Sequence, residues 1–262
     1  MRKLLIVGNW KMNLNVHQSS NLLVNLEKNI KPHRNIEVVL APSMLSIQPL
    51  SLQLDRRKFR LGAQDAFSID QGAYTGEVSI AMLRDLIHYV IIGHSERRIY
   101  FHEGTDMIRD KVAAAVRNDI SPILCIGETK REHEAGETRL VLHDQLTTAV
   151  SDLSSNDFEK VVIAYEPVWA ISTFNGEVAE PDQMRSIIKY IRDQVSSLYG
   201  EKAALACRIL YGGSVDDQTA ASYLRVSGCD GCLVGGASLN YQKFSNIVNQ
   251  AEQIQYERLK FA

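Results

Sequence analysis

The sequence predicts a single (β/α)8 barrel of the α/β class, on three observations. Eight short apolar runs recur along it, longer segments with helical apolar spacing separate them, and unusual polar residues gather where the runs end. The runs cover residues 4–7, 38–41, 60–63, 89–92, 122–126, 161–165, 208–211 and 232–234. Strands apolar on both faces belong to a parallel sheet wrapped in helices, and eight βα units favour a closed barrel over an open sheet.

Taken in order, the first run, Leu4-Leu5-Ile6-Val7, ends at Gly8-Asn9-Trp10-Lys11. Basic residues precede it, but it is much shorter than a signal-peptide core, and it reads as a first strand. After the fourth run come Gly93-His94-Ser95-Glu96, and between the fourth and fifth the spacing of Met107, Val112, Ala115 and Val116 predicts a helix. The sixth run, Val161-Val162-Ile163-Ala164-Tyr165, stops at Glu166-Pro167. A carboxylate held there by a stiff proline is placed to meet a ligand. Met184, Ile187, Ile188, Ile191 and Val195 predict the next helix, and glycine pairs, Gly212-Gly213 and Gly235-Gly236, follow the seventh and eighth runs.

Composition agrees with this reading. A chain of 262 residues, 45% hydrophobic, can bury a large core. No Ser/Gly-rich linker divides it, so one domain over residues 1–262 is expected. A formal charge of −2 gives no global basic field, so no nucleic-acid or anionic-membrane partner is expected. No segment approaches the roughly 20 apolar residues of a membrane span, which makes a cytoplasmic protein the expectation. Cys229 and Cys232 have redox or half-zinc spacing, but no second pair completes a metal site, and packing is the better account of both.

The polar residues at the strand ends carry a resemblance. Gly8-Asn9-Trp10-Lys11-Met12-Asn13, Gly93-His94-Ser95-Glu96-Arg97-Arg98, Tyr165-Glu166-Pro167-Val168-Trp169-Ala170, Tyr211-Gly212-Gly213-Ser214-Val215 and Leu233-Val234-Gly235-Gly236-Ala237-Ser238-Leu239 resemble, in order, the motifs of the triosephosphate isomerase family. The likeness runs from about residue 4 to about residue 250. It implies interconversion of dihydroxyacetone phosphate and glyceraldehyde 3-phosphate, a step of glycolysis and gluconeogenesis, without metal or organic cofactor.

That reaction moves a proton between neighbouring carbons through an enediolate, and it needs a base beside the carbon and an acid beside both oxygens. By the resemblance Glu166 is the base and His94 the acid. Lys11 attracts the phosphate dianion and stabilises the growing negative charge, and Asn9 hydrogen-bonds substrate oxygen and helps place His94. Ser95 and Glu96 support the site. On their own terms these two read as an N-cap and a first-turn carboxylate. Gly235, Gly236 and Ser214, through its hydroxyl or its N–H, hold the phosphate together with Ser172. Arg192 and Asp230 correspond to a buried ion pair, and Cys125 to a packing residue.

Two further segments bear on function. The stretch containing Phe67, Ile69, Tyr74 and Thr75 resembles a long loop that inserts into a neighbouring subunit, which implies a homodimer, and those apolar residues would otherwise be exposed. The lid after the sixth strand departs from the family. It reads Ala170-Ile171-Ser172-Thr173-Phe174-Asn175-Gly176-Glu177-Val178-Ala179, two residues longer, with Glu177 in place of a lysine. Ser172 stands where the family has glycine, at a cost on the order of 1 kcal/mol if φ there is positive. Tyr211 is expected to reach the Ala179 backbone. Two alternatives stay open: an isomerase of a related tetrulose phosphate, and a catalytically weak barrel that serves as a binding protein.

Overall fold

The computed structural model describes residues 2–171 and 179–260. Eight strands, β1 (Leu4–Asn9), β2 (Ile36–Ala41), β3 (Arg60–Ala63), β4 (Tyr89–Ile92), β5 (Ser121–Ile126), β6 (Val162–Tyr165), β7 (Arg208–Tyr211) and β8 (Gly231–Val234), pair in sequence order and close into a barrel. Every ladder is parallel, and closure is made by β1 on β8 with Leu5 opposite Gly231 and Gly8 opposite Val234. All eight expected runs are strands, extended by one or two residues in β1, β2, β5 and β8 and shortened by one in β6, which begins at Val162.

Alternation along each strand divides the apolar residues between two cores. Leu5, Val7, Val39, Ile91, Ile123, Ala164, Leu210 and Leu233 fill the barrel interior. Leu4, Ile6, Val38, Leu40, Ile92, Leu124 and Val234 pack outward against the helices. Because both faces are covered, all six residues of β1 are buried, which is why the run reads as continuously apolar.

The helix Pro181–Tyr199 buries Met184, Ile188, Ile191 and Val195, with Ile187 partly buried beside them, as the spacing predicts. The helix Thr105–Arg117 is present too, but Met107 is exposed. Val112, Ala115 and Val116 are buried as expected, and Ile108 takes the place of Met107 at the start of the stripe. It also carries Lys111, whose ammonium lies 2.6 Å from Glu103 and 2.7 Å from Asp65.

At the N-terminal end of the barrel, Glu37 accepts hydrogen bonds from Tyr89 and Arg208, each at 2.8 Å, and the three side chains close that mouth with polar groups that satisfy one another. Asp230 pairs with Arg192 at 3.0 Å, as expected, and also with Arg2 at 3.0 Å, so its charge is shared by two guanidinium groups. All four cysteines are free and buried. Cys229 lies before β8 and Cys232 within it, and burial pushes the Cys229 thiol up to about 12. Burial likewise raises the Cys125 thiol well above its usual range, with the Glu166 carboxylate adding to the effect, so Cys125 remains a protonated packing group. No described helix is long and apolar enough to cross a membrane.

Candidate active site

Closing the barrel brings the C-terminal strand tips into one ring, and a cavity of ≈ 520 Å³ opens there. Asn9, Lys11, His94, Glu166, Ser214, Gly235 and Gly236 all line it. Seven of the residues expected from five segments of sequence therefore share one pocket. Ser172 lies outside the described residues.

His94 is fixed by the chain that follows it. It is itself the N-cap of the helix Ser95–Tyr100, and its Nδ1 accepts the Glu96 backbone N–H at 3.2 Å. This corrects the expectation of Ser95 as the cap; Ser95 is the first helical residue. A backbone N–H can only donate, so Nδ1 carries no proton in this arrangement and a neutral imidazole carries its proton on Nε2. That nitrogen lies 3.3 Å from Glu166 Oε1.

Glu166 is buried, although it begins a loop. Its Oε2 accepts the Ser95 N–H at 3.2 Å, whereas Oε1 makes no hydrogen bond, being close to His94 without being aligned to it. Two glycines make room for it. A Cβ on Gly127 would fall 1.8 Å from the Glu166 carbonyl oxygen, and one on Gly212 would fall 2.8 Å from Glu166 Cγ. Neither contact is tolerable, so the strand-six carboxylate sits in a slot that only glycine leaves open.

Lys11 has φ +52°, the left-handed region that costs a non-glycine residue roughly 1–2 kcal/mol. Its N–H donates to Asn9 Oδ1 at 3.0 Å, and its carbonyl accepts from Gln64 Nε2 at 2.8 Å. The side chain passes over Gly235, and the ammonium lies 2.5 Å from Glu96 Oε1. Asn9 thus holds the lysine backbone through its side-chain oxygen, which accepts from Lys11.

The two glycine pairs and Ala237, in the 3-10 turn Gly236–Leu239, also line the cavity. For Ser214 the structure narrows the expectation. Its N–H donates to the Ala170 carbonyl at 2.9 Å, which leaves the hydroxyl, buried and without a partner, as the remaining donor. Tyr211 does not reach Ala179. The hydroxyl that donates to the Ala179 carbonyl, at 3.1 Å, belongs to Tyr223, and Tyr211 stacks against that ring at 4.1 Å. Stacking directs the Tyr211 side chain toward Gly213, where a Cβ would sit 2.2 Å from its hydroxyl.

Several residues of the site carried no signal in the sequence reading. Glu128 is fully buried, and its Oε1 accepts from Tyr165 OH at 3.1 Å and Trp169 Nε1 at 2.9 Å. It thereby braces the short turn Val168–Ala170 that leads away from Glu166. Asp216, Thr219, Asn240 and Lys243 line the pocket rim, and Arg98 donates to the Gly93 and Cys125 carbonyls behind His94. The glycine ending the fifth strand tip, Gly127, was the one signal available, since nothing else required a glycine there.

A family model described as triosephosphate isomerase matches residues 4–251. The chain belongs to the triosephosphate isomerase family. It is 41% identical over 255 residues to a triosephosphate isomerase of Dehalococcoides mccartyi, covering 97% of this chain and 99% of that one. It is 43% identical over 250 residues to one of Clostridium tetani, with 95% and 97% covered, and 42% identical over 250 residues to one of Caldanaerobacter subterraneus, with 95% and 100% covered. As a triosephosphate isomerase family member it shares the relatives' full extent, so the pocket just described and the matched region are the same part of the molecule.

Proposed function

We propose that this chain interconverts dihydroxyacetone phosphate and D-glyceraldehyde 3-phosphate, as one barrel domain, with Glu166 as base and His94 as acid. The observation that supports the assignment most is the pairing of Glu166 and His94 at 3.3 Å in a pocket that also holds an ammonium and a glycine-lined anion subsite. Triosephosphate isomerases are themselves the standard case of a glutamate base working with a neutral imidazole.

Each part has a task that follows from its position. Glu166 Oε1, with no hydrogen bond of its own, is the carboxylate oxygen available to take the proton from carbon. His94 Nε2–H donates to the carbonyl oxygen that becomes negative, while the Glu96 N–H on Nδ1 orients the ring and places the proton on Nε2. Lys11 supplies positive charge near both the enediolate oxygens and the phosphate. Gly235, Gly236 and the Ser214 hydroxyl surround the phosphate, and Asn9 holds the Lys11 backbone while facing the substrate. Ser95, through its N–H on Glu166 Oε2, steadies the base between turnovers.

The homodimer belongs to the same reading. Met12 is 96% exposed, Ile69 and Tyr74 are exposed in the stretch that contains Thr75, and Leu45 and Met82 are exposed on the helices Met44–Ser51 and Ile80–Leu83, with the Phe67 and Tyr74 rings 4.7 Å apart. Apolar groups gathered on one side of the barrel favour burial against a second copy. Thr75→Arg would then give monomers in sedimentation and a loss of turnover; an unchanged sedimentation coefficient would argue against this loop as the contact.

The deciding test is isomerisation of glyceraldehyde 3-phosphate in a coupled assay, run beside Glu166→Gln. Turnover present in the parent and lost in the variant supports both the reaction and the base. A folded parent protein without turnover, or with faster turnover on a four-carbon sugar phosphate, would overturn it.

A further inference from the structure

At the opposite end of the barrel from the catalytic pocket, the starts of β1, β2 and β3 surround a second concavity of ≈ 360 Å³. Five cationic side chains line it, Lys3, Arg56, Arg57, Lys58 and Arg60, against a single lining carboxylate, Glu37. In a chain whose formal charge is −2 this is a marked local concentration of positive charge.

Two of the acidic groups nearby are already engaged, while Glu252 acts on His33 from the side. Glu37 is held by Tyr89 and Arg208, and Asp55 takes both arms of Arg57 at 3.0 Å. Lys58 donates to the Glu27 carbonyl and Arg60 to the Arg56 carbonyl, so the backbone is tied beneath the cations rather than their charge being neutralised. Among the described residues, Lys3 and Arg56 make no ion pair. Phe59, fully buried between Lys58 and Arg60, and the turn in which the Asp55 carbonyl accepts from the Lys58 and Phe59 N–H groups anchor the basic run on the rim.

His33 adds a second, independent observation. Both of its ring nitrogens are buried, and neither makes a well-aligned hydrogen bond among the described residues, although the His33 and Ile36 backbone lies close to the ring. It lines the same concavity. Buried polar atoms without partners are uncommon, and they point to a group that is supplied from outside. Burial is the main cause that depresses the His33 imidazole, with Lys3 adding to it and Glu252 and nearby backbone carbonyls opposing, and burial, then Arg60 and Arg56 against Glu37, depresses His88.

We infer that this concavity binds a small molecule carrying two or more phosphate groups. Guanidinium forks match phosphate oxygens, several cations converging on one hollow favour clustered over single charges, and His33 offers a hydrogen bond at the side. The volume is that of a small-ligand pocket, and the cations face one hollow instead of forming the stripe a nucleic-acid backbone would follow. The site lies a full strand length from Glu166, so occupancy is independent of the catalytic pocket.

The test uses the whole protein with its catalytic pocket filled by glycerol 3-phosphate, titrated calorimetrically with sodium tripolyphosphate. One equivalent should bind per chain, more weakly as salt rises, and Lys3→Ala with Arg56→Ala should weaken it by tenfold or more while leaving kcat/KM unchanged. Both residues are exposed, so folding is not at risk, and Lys3→Glu alone should lower the affinity in the same direction. A nucleoside triphosphate binding more tightly than tripolyphosphate would support the site and identify its source as a nucleotide; equal affinities would support recognition of the phosphate chain itself. Orthophosphate binding as tightly as tripolyphosphate, displacement by glycerol 3-phosphate, or an affinity unaltered by the substitutions would each overturn the inference.

Discussion

Gln64 donates its side-chain amide to the carbonyl of Lys11 at 2.8 Å and to that of Ala41 at 2.9 Å, and so spans the tips of the first three strands. The Lys11 backbone is in the left-handed region, which local sequence would not choose for a lysine. The strain persists because Gln64 on one side and Asn9 on the other over-determine the conformation. The ammonium is thereby aimed across the pocket at Glu96 rather than into solvent.

Removing that clamp should matter more to turnover than to stability. Gln64→Ala is expected to lower kcat about tenfold by letting Lys11 relax, and to cost about 1 kcal/mol of stability for the lost hydrogen bonds. Steady-state kinetics beside a urea titration checks both. A stability loss with unchanged turnover would mean that the backbone conformation of Lys11 is irrelevant to its charge.

Gly212→Ala tests the slot around the base. The added methyl would meet Glu166 Cγ at 2.8 Å, so the carboxylate must move. Misplacement by about 1 Å lowers turnover roughly a hundredfold. The expected signature is a fall in kcat at near-normal unfolding midpoint, read from kinetics and thermal denaturation. Gly127→Ala, whose Cβ would lie 1.8 Å from the Glu166 carbonyl, should by contrast prevent normal folding.

Glu166→Asp retracts the carboxylate by one methylene. Oε1 then no longer reaches the carbon it deprotonates, and kcat should fall by about a hundredfold or more, within the range that general-base catalysis contributes. Circular dichroism should be unchanged. Turnover near that of the parent would sink the assignment of the base.

The mouth opposite the site makes an alkaline prediction. Burial, with the Glu37 charge assisting and Arg208 opposing, pushes the Tyr89 hydroxyl up to about 12. An unfolded tyrosine ionises near pH 10. Between those values the unfolded chain has lost the proton and the folded one keeps it, so stability falls as pH rises through that window. The loss attributable to Tyr89 is of order 2 kcal/mol by about pH 12. Urea unfolding of the parent and Tyr89→Phe at about pH 9 and about pH 11 should show their difference in stability shrinking with pH.

Much of this molecule was legible before its coordinates. The eight strands follow from apolar runs covered on both faces, and three of them, β3, β4 and β7, have the expected bounds. Glu166, His94, Asn9 and Lys11 stood out because each polar residue interrupts an apolar run at its C-terminal end. Such signals are local: they need only the residue, its neighbours and the period of the strand.

What depends on atoms meeting across the barrel was not legible. Ser214 spends its N–H on Ala170, and Tyr223 rather than Tyr211 reaches Ala179. Arg2 joins Arg192 on Asp230 across 228 residues, and the basic hollow draws Lys3, His33 and Arg60 from three separate strand starts. The sequence by itself determined which residues lie at which end of which strand, because side-chain periodicity and strand length are properties of short segments. Only the tertiary structure decided which donors meet which acceptors, because those distances are set by barrel closure and by the paths of the loops, to which no short segment is sensitive.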